Sequence, residues 1–285
     1  MHNITIIGAG WLGQPLAHTL IAQGHRVRVS CTSTEKCQTL RAKGLTAFVV
    51  DLDQTPISTL AQQLIQQQSQ IVIGCFPPRF RHGAGNAYIR WWQTLVAACQ
   101  QAKVEKVVMV SSSSVYPALA EEMREEQASF ALAQHSSHFS ESATWLLQAE
   151  QAVIDANLPY VIVRLSGLMG SDRHPARFVA HMSSVSANAP ANMLHQQDAI
   201  GAIIFCALQV ENQVVNATTP RTVSKAEFYQ HALNVADSPL TLPPIDDKPD
   251  KQIIADKLQL LGYRFHFTHT LDALDSLVSA VSQHQ

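Results

Sequence analysis

The chain has 285 residues, 46% apolar and 15% charged, a balance that lets burial offset ordering entropy and excludes a wholly disordered protein. Its 20 Lys and Arg stand against 22 Asp and Glu, for a net charge of −2. No cationic excess exists to follow a phosphate backbone, so nucleic acid is not an expected partner.

The length allows one large or two small domains. The most apolar stretch, Ala199 to Val210, is well short of the roughly 20 residues that span a bilayer, so no membrane partner is expected. The start MHNITIIGAG lacks a basic segment and a long apolar run, which predicts a mature protein beginning at Met1. The five cysteines (Cys31, Cys37, Cys75, Cys99 and Cys206) are odd in number and form no CxxC pair. That pattern predicts no disulfide framework, no structural zinc and a reducing, cytoplasmic setting. The 13 histidines form no HxH or HExxH, and no metal is expected.

In chain order, the predicted strands are Asn3–Ile7, Arg26–Ser30, Ala47–Val50, Ile71–Gly74, Lys106–Val110, Tyr160–Leu165 and Val214–Asn216. The predicted helices between them are Leu12–Gln23 (closed by Gly24), Ser58–Gln68, Ala84–Gln101, Ser142–Ala156 and Asp198–Leu208. Short β-rich runs alternating with helices predict βαβ units, right-handed crossovers and a doubly wound α/β parallel sheet. The run QQLIQQQSQ (Gln62 to Gln70) reads as a solvated helix end. After about Gly170 the alternation breaks, leaving isolated helices at Ala176–Met182 and Lys225–Val235 and a final segment from Asp256 to Phe265. The expected organisation is a Rossmann-type domain over 1–170, its sheet completed by about 196–220, and a smaller substrate lobe over most of 171–285, interleaved with it.

Directly after the first strand stands Gly8-Ala9-Gly10-Trp11-Leu12-Gly13, a GxGxxG that opens a helix. Gly8 permits the tight turn, Gly10 lets the backbone approach a diphosphate, and Gly13 lets the helix pack close to the strand. Trp11 and Leu12 bring free N–H groups to the anion at the helix start. At the end of the second strand, where NAD-binding chains carry an acid, the sequence reads Ser30-Cys31-Thr32-Ser33-Thr34-Glu35-Lys36. The hydroxyls of Thr32 and Ser33, with Lys36 nearby, suit a 2′-phosphate, so NADP is expected ahead of NAD. Asp51 and Leu52 are placed to meet the adenine edge; alternatively Asp51 caps the following turn. Cys75 and Phe76 after the fourth strand and Ser111 at the end of the fifth complete the expected cofactor contacts. Cys75 itself reads as buried and inert.

Taken with Ser111-Ser112-Ser113-Ser114-Val115-Tyr116, Arg164-Leu165-Ser166-Gly167-Leu168-Met169-Gly170 and His195-Gln196-Gln197-Asp198, the chain resembles an extended short-chain dehydrogenase/reductase of the NAD-dependent epimerase/dehydratase superfamily. GWLGxPLA (Gly10 to Ala17), RLxGLxGxxRHPxRF (Arg164 to Phe178) and NxxHxxDxIGAI (Asn192 to Ile203) narrow the likeness to the bacterial YeeZ-like group, which is grouped with nucleoside-diphosphate-sugar epimerases. The resemblance implies a Rossmann fold, NAD(P), a small-molecule substrate and a homodimer paired through helices.

It also implies a Ser or Thr beside a Tyr-x-x-x-Lys pair, in which the lysine lowers the phenol's pKa so that the phenolate takes a proton as hydride moves to the nicotinamide. Ser112, four residues before Tyr116, matches the serine. No YxxxK exists: the residues four beyond Tyr88, Tyr116, Tyr160, Tyr229 and Tyr263 are Trp92, Ala120, Arg164, Leu233 and Phe267. Aligning Glu150 with the acid that ends the family's motif helix puts Ser142 and Leu146 at the tyrosine and lysine positions, and neither replaces an acid–base pair. Ser113 and Ser114 stand where sugar-nucleotide dehydratases carry Asp-Glu, which disfavours dehydration.

The remaining proton-moving candidates are Tyr116, facing the nicotinamide or else packed beneath its loop, and His195, a base in the cleft or else structural. Asp198 is expected to cap the helix that starts there. Arg173, His174 and Arg177 are the expected substrate anchors, or else surface ion-pairing groups. Arg79, Arg81 and His82 form a second basic loop that reads as solvated. Two functions follow: an oxidoreductase or epimerase acting on a nucleotide-sugar or small phosphorylated substrate, and a dinucleotide-binding regulatory or scaffold protein whose redox chemistry has lapsed. No motif supports a flavin or a metal.

Overall fold

A computed structural model of the protein describes residues 1–78 and 85–277. β1 (Asn3–Ile7), α1 (Gly13–Ala22), β2 (Arg26–Cys31), α2 (Thr34–Ala42), β3 (Thr46–Val49), α3 (Ile57–Gln66), β4 (Ile71–Gly74), α4 (Gly85–Gln101) and β5 (Lys106–Ser112) alternate strand with helix. Then come the short β6 (Glu122–Met123), α5 (Phe130–Gln134), the long α6 (Glu141–Ile154), β7 (Tyr160–Leu165), β8 (Gly167–Met169), α7 (Ala176–Val179) and β9 (Val185–Ser186). The chain closes with β10 (Met193–His195), α8 (Gln196–Gln209), β11 (Gln213–Ala217), α9 (Lys225–Val235), β12 (Ile245–Asp246), β13 (Gln252–Ile253), α10 (Asp256–Leu260) and α11 (Thr270–Asp275).

Seven strands form one parallel sheet in the order β11-β7-β5-β4-β1-β2-β3. The connection direction reverses between β1 and β4, which opens a crevice at their carboxyl ends, the place where such sheets bind ligands. Both faces are covered, so the strands are apolar throughout: Ile4, Ile6, Val72 and Ile73 are all but fully buried. Leu16 and Leu20 of α1 and Ile203 of α8 pack on one face. Leu64 of α3, Trp92 and Leu95 of α4, and Leu146 of α6 pack on the other. A third cluster, with Met169, Phe228 and Leu274, holds the C-terminal lobe together. Two small parallel pairs, β10 with β8 and β13 with β6, join that lobe to segments that leave the sheet's carboxyl edge, and a third, β12 with β9, lies within the lobe.

Three sequence expectations need correction. The segment after β2 is a helix, α2, which is not among the predicted helices; Ser33 caps it by accepting from the Lys36 N–H at 3.3 Å. That strand-to-helix turn brings Cys31, at the end of β2, against Cys37 in α2, and the two form a disulfide with a Cα–Cα distance of 5.8 Å. The cysteine pattern therefore no longer argues for a reducing compartment. Finally, α8 begins at Gln196, and its cap is His195, whose Nδ1 accepts from the Gln197 N–H at 3.1 Å. Asp198 does not cap it. Among the described residues no helix is long and apolar enough to cross a membrane.

Candidate dinucleotide site

The glycine turn is built from contacts that only glycines permit. Gly8 has φ +103°, and a Cβ there would lie 2.7 Å from the Cys75 carbonyl oxygen on the neighbouring strand end. A Cβ on Gly13 would collide with the Gly8 carbonyl oxygen, so the helix start can rest on the turn only without a side chain. Gly10 differs: a Cβ there meets nothing within 4 Å. Ser30 anchors the turn to β2, its hydroxyl accepting from the Gly8 N–H and its carbonyl from the Ala9 N–H, each at 3.0 Å. The N–H groups of Gly10, Trp11 and Leu12 find no acceptor among the described residues, and no side chain caps α1. Together they form a corner of unpaired donors at a helix start, the kind of feature that suits an anion.

A cavity of about 510 Å³ extends from this corner along the carboxyl ends of β1 to β4. Of the residues expected at the cofactor, Gly8, Gly10, Thr32, Asp51, Leu52, Cys75 and Phe76 line it. Ser33 does not, because its hydroxyl is committed to the α2 cap. Ser111 is also absent, since it is buried and donates to Glu150 Oε1 at 2.6 Å. Trp11, Leu12 and Gly13 form the rear of the turn rather than the cavity wall. Cys75 is buried, and desolvation pushes its thiol up to about 12, which leaves it inert.

Asp51 shapes the turn that follows it and also lines the cavity. Its Oδ1 accepts from the Asp53 N–H at 3.1 Å. Sequence reasoning missed Asp53, Thr39 and Trp91. Trp91, on α4, donates its indole N–H to Asp53 Oδ1 at 2.7 Å and walls the same cavity with Phe76. The available signal was Asp53 two residues beyond Asp51; its partner is visible only once α4 packs against the sheet edge.

Ser112 stands half-buried at the carboxyl end of β5, its hydroxyl accepting from the Ser114 N–H at 3.2 Å and from the Ser114 hydroxyl at 2.9 Å. Tyr116 is packed beneath the loop. It is 2% exposed and donates to Asn216 Oδ1 at 2.6 Å while accepting from Arg164 Nη1 at 3.1 Å. Burial, only partly offset by Arg164, raises the phenol to about 12. A phenol so enclosed cannot exchange its proton with a substrate. On α6, Ser142 shares a hydrogen bond of 3.0 Å with the Ser140 hydroxyl, and Leu146 is buried, so no acid–base pair stands at either position.

His195 lies beside Phe267, with ring centroids 4.8 Å apart. Burial and then the neighbouring His266 hold its imidazole down to about 4. With Nδ1 occupied as the cap acceptor, the proton of the neutral ring sits on Nε2, which makes His195 a hydrogen-bond donor rather than a base. Asp198 pins the C-terminal segment instead of the helix: its carboxylate accepts from the N–H groups of His266 at 2.6 Å and Phe267 at 3.0 Å.

The three expected anchors do not converge. Arg173 stacks on Trp11. His174 and Arg177 line a separate cavity of about 460 Å³ against the end of α9 and residues 236–240. Burial, then Arg177, lowers the His174 pKa. Arg79, Arg81 and His82 lie outside the described residues.

Fold, glycine turn and cavity define a Rossmann-type dinucleotide-binding protein. The chain belongs to the NAD(P)H-binding family, whose model matches residues 8–193. It is 26% identical over 231 residues to Protein YeeZ of Escherichia coli K12, covering 80% of this chain and 82% of that protein. It shares its fold with dTDP-glucose 4,6-dehydratase from Bacillus anthracis, solved with NAD (TM-score 0.77, 15% identity, 100% of this chain and 98% of that one). A second likeness is UDP-glucuronic acid 4-epimerase from Bacillus cereus, also with NAD (TM-score 0.75, 16% identity, 98% of each chain).

Proposed function

We propose that this protein holds NADP(H) in the cavity between the glycine turn and α2. There it acts as an atypical epimerase or oxidoreductase on a nucleotide-linked or small phosphorylated carbonyl or alcohol. The observation that carries the reading is the run of unpaired N–H groups at Gly10, Trp11 and Leu12, whose first member, Gly10, lines a cavity of about 510 Å³. NADP is favoured over NAD by the ribose end. Thr32, Lys36 and Thr39 line it, the Lys36 ammonium has no acceptor among the described residues, and the cavity's carboxylates, Asp51 and Asp53, stand at the β3 end instead. Bound there, the cofactor supplies the hydride acceptor or donor. Ser112 polarises the reacting oxygen, and Arg177 with His174 beside it receives an anionic substrate group.

A second reading, a dinucleotide-binding regulatory protein without turnover, is favoured by Ser142 and Leu146 at the acid–base positions and by the enclosed Tyr116 hydroxyl. Titrating the protein with NADPH and NADH and following turnover across a panel of nucleotide sugars separates the two. Turnover that Ser112→Ala abolishes supports the enzyme; saturable binding with no turnover supports the regulator. Lys36→Gln is expected to weaken NADPH by about tenfold, the scale of one charge-assisted hydrogen bond, while leaving NADH unchanged. Equal losses for both cofactors would contradict the NADP assignment.

A further inference from the structure

The C-terminal lobe reaches the glycine turn at one side chain. Trp11, the fourth residue of GxGxxG, donates its indole N–H to Asp172 Oδ1 at 2.6 Å, and its carbonyl accepts from Gln196 Nε2 at 3.0 Å. Gly170 presses on the same ring so closely that a Cβ would sit 2.8 Å from Cζ2. The tight turn from Gly170 to Arg173, closed by reciprocal backbone hydrogen bonds of 3.4 and 3.0 Å, then swings Arg173 over the indole. The Arg173 guanidinium carbon lies 5.7 Å from the Trp11 ring centroid and 5.7 Å from that of Phe178.

Two aromatic rings thus hold the guanidinium, yet none of its N–H donors meets an acceptor among the described residues, and no carboxylate pairs with it. The adjacent Asp172 carboxylate is occupied by the Trp11 indole. Stacking fixes the plane of an arginine while leaving its edge free for a planar, bidentate acceptor. Trp11 also belongs to the corner whose unpaired N–H groups await an anion. Arg is suited to phosphate oxygens in this setting, because its fork makes two parallel charge-assisted hydrogen bonds.

The geometry points to Arg173 as a diphosphate-binding residue that the C-terminal lobe contributes to the cofactor site, rather than a substrate anchor. This deepens the dinucleotide reading and rests on it. Trp11 is then a positioning residue: it holds Arg173 beside the turn and, through Asp172 and Gln196, joins the lobe to the diphosphate. The cofactor's diphosphate would be gripped from two sides, by backbone N–H groups of the turn and by a lobe that arrives more than 150 residues later in the chain.

The test is calorimetric titration of the full chain with NADPH, ADP-ribose and adenosine 2′-monophosphate, for wild type, Arg173→Ala and Arg173→Lys. Arg173 is exposed, so both variants retain the fold. Arg173→Ala is expected to weaken the two diphosphate ligands by about tenfold or more and to leave the monophosphate unchanged; Arg173→Lys, with the charge but not the fork, falls between. Unchanged NADPH affinity in Arg173→Ala overturns this inference alone, as does an equal loss for all three ligands. A wild type that takes up no pyridine nucleotide overturns the dinucleotide reading and the inference with it.

Discussion

Arg164→Met tests the buried network that fixes the serine-bearing end of β5. Arg164 and Glu150 are 2% and 3% exposed at their side chains and paired at 2.7 Å. Burial works against the Arg164 cation, but the Glu150 carboxylate and Tyr116 more than offset it, so the guanidinium is held protonated. Methionine keeps much of the volume and removes the charge. The Glu150 carboxylate is then left buried with one donor among the described residues, the Ser111 hydroxyl at 2.6 Å. The carbonyls of Glu125 and Ala128 lose donors at 3.0 and 2.8 Å.

Removing one partner of a buried pair costs about 3–5 kcal/mol, which sits in a total stability of about 5–15 kcal/mol. At about 2–4 °C per kcal/mol for a domain somewhat smaller than this one, Tm should fall on the order of 10 °C. Adding Glu150→Leu removes the second charge as well and should recover more than half of the loss, because an apolar pair replaces an ion pair at little net cost. Urea unfolding followed by circular dichroism measures the wild type, both single variants and the double variant. A loss below about 1 kcal/mol in Arg164→Met, or a double variant as unstable as the sum of its singles, would refute this account of the network.

Two further outcomes follow from the site. Gly13→Ala drives a methyl into the Gly8 carbonyl oxygen, so it should lower both Tm and NADPH affinity; a variant with wild-type values of both would show that the helix start is not wedged against the turn. His195 titrates at about 4 in the fold against an ordinary 6.5. The unfolded chain therefore takes up the proton first as pH falls, and the stability tied to the neutral ring is complete above 6.5 and lost progressively toward 4. His195→Asn keeps an acceptor for the Gln197 N–H without titrating. Its Tm should fall less than that of wild type between pH 7 and pH 5, and superimposable pH profiles would remove His195 from the acid response.

All seven strands of the main sheet were legible because a strand buried on both faces must be apolar along its length, and such runs stand out between turn residues. Ile71–Gly74 is read to the residue, and β3 is displaced by one. α2 was not legible from periodicity, since only Cys37 and Leu40 are buried along it. Its end signals were present: Ser33 before it, Glu35 in its first turn and Arg41 in its last. Missing α2 also hid the approach of Cys31 to Cys37. The two-residue strands β6, β9, β12 and β13 exist only because distant segments pair, so no local pattern could mark them. At the site, the glycine turn was readable because each glycine answers a local steric demand. The packed Tyr116 and the structural His195 were each one of two readings left open, decided for Tyr116 by partners 48 and 100 residues away; the role of Asp198 was not readable, because it depends on partners 68 and 69 residues away and on the competing His195 cap.

Gly10 offers the most direct test of the central claim that bare backbone N–H groups receive a diphosphate at this turn. A Cβ there meets nothing within 4 Å, and the residue's φ lies outside the left-handed region, so Gly10→Val should fold as wild type does. Its methyl groups would occupy the space in front of the N–H corner. Calorimetry should show saturable NADPH binding to wild type and none to Gly10→Val at an unchanged Tm. Wild-type affinity in the variant, or no heat from the wild type with any pyridine nucleotide, would contradict the claim.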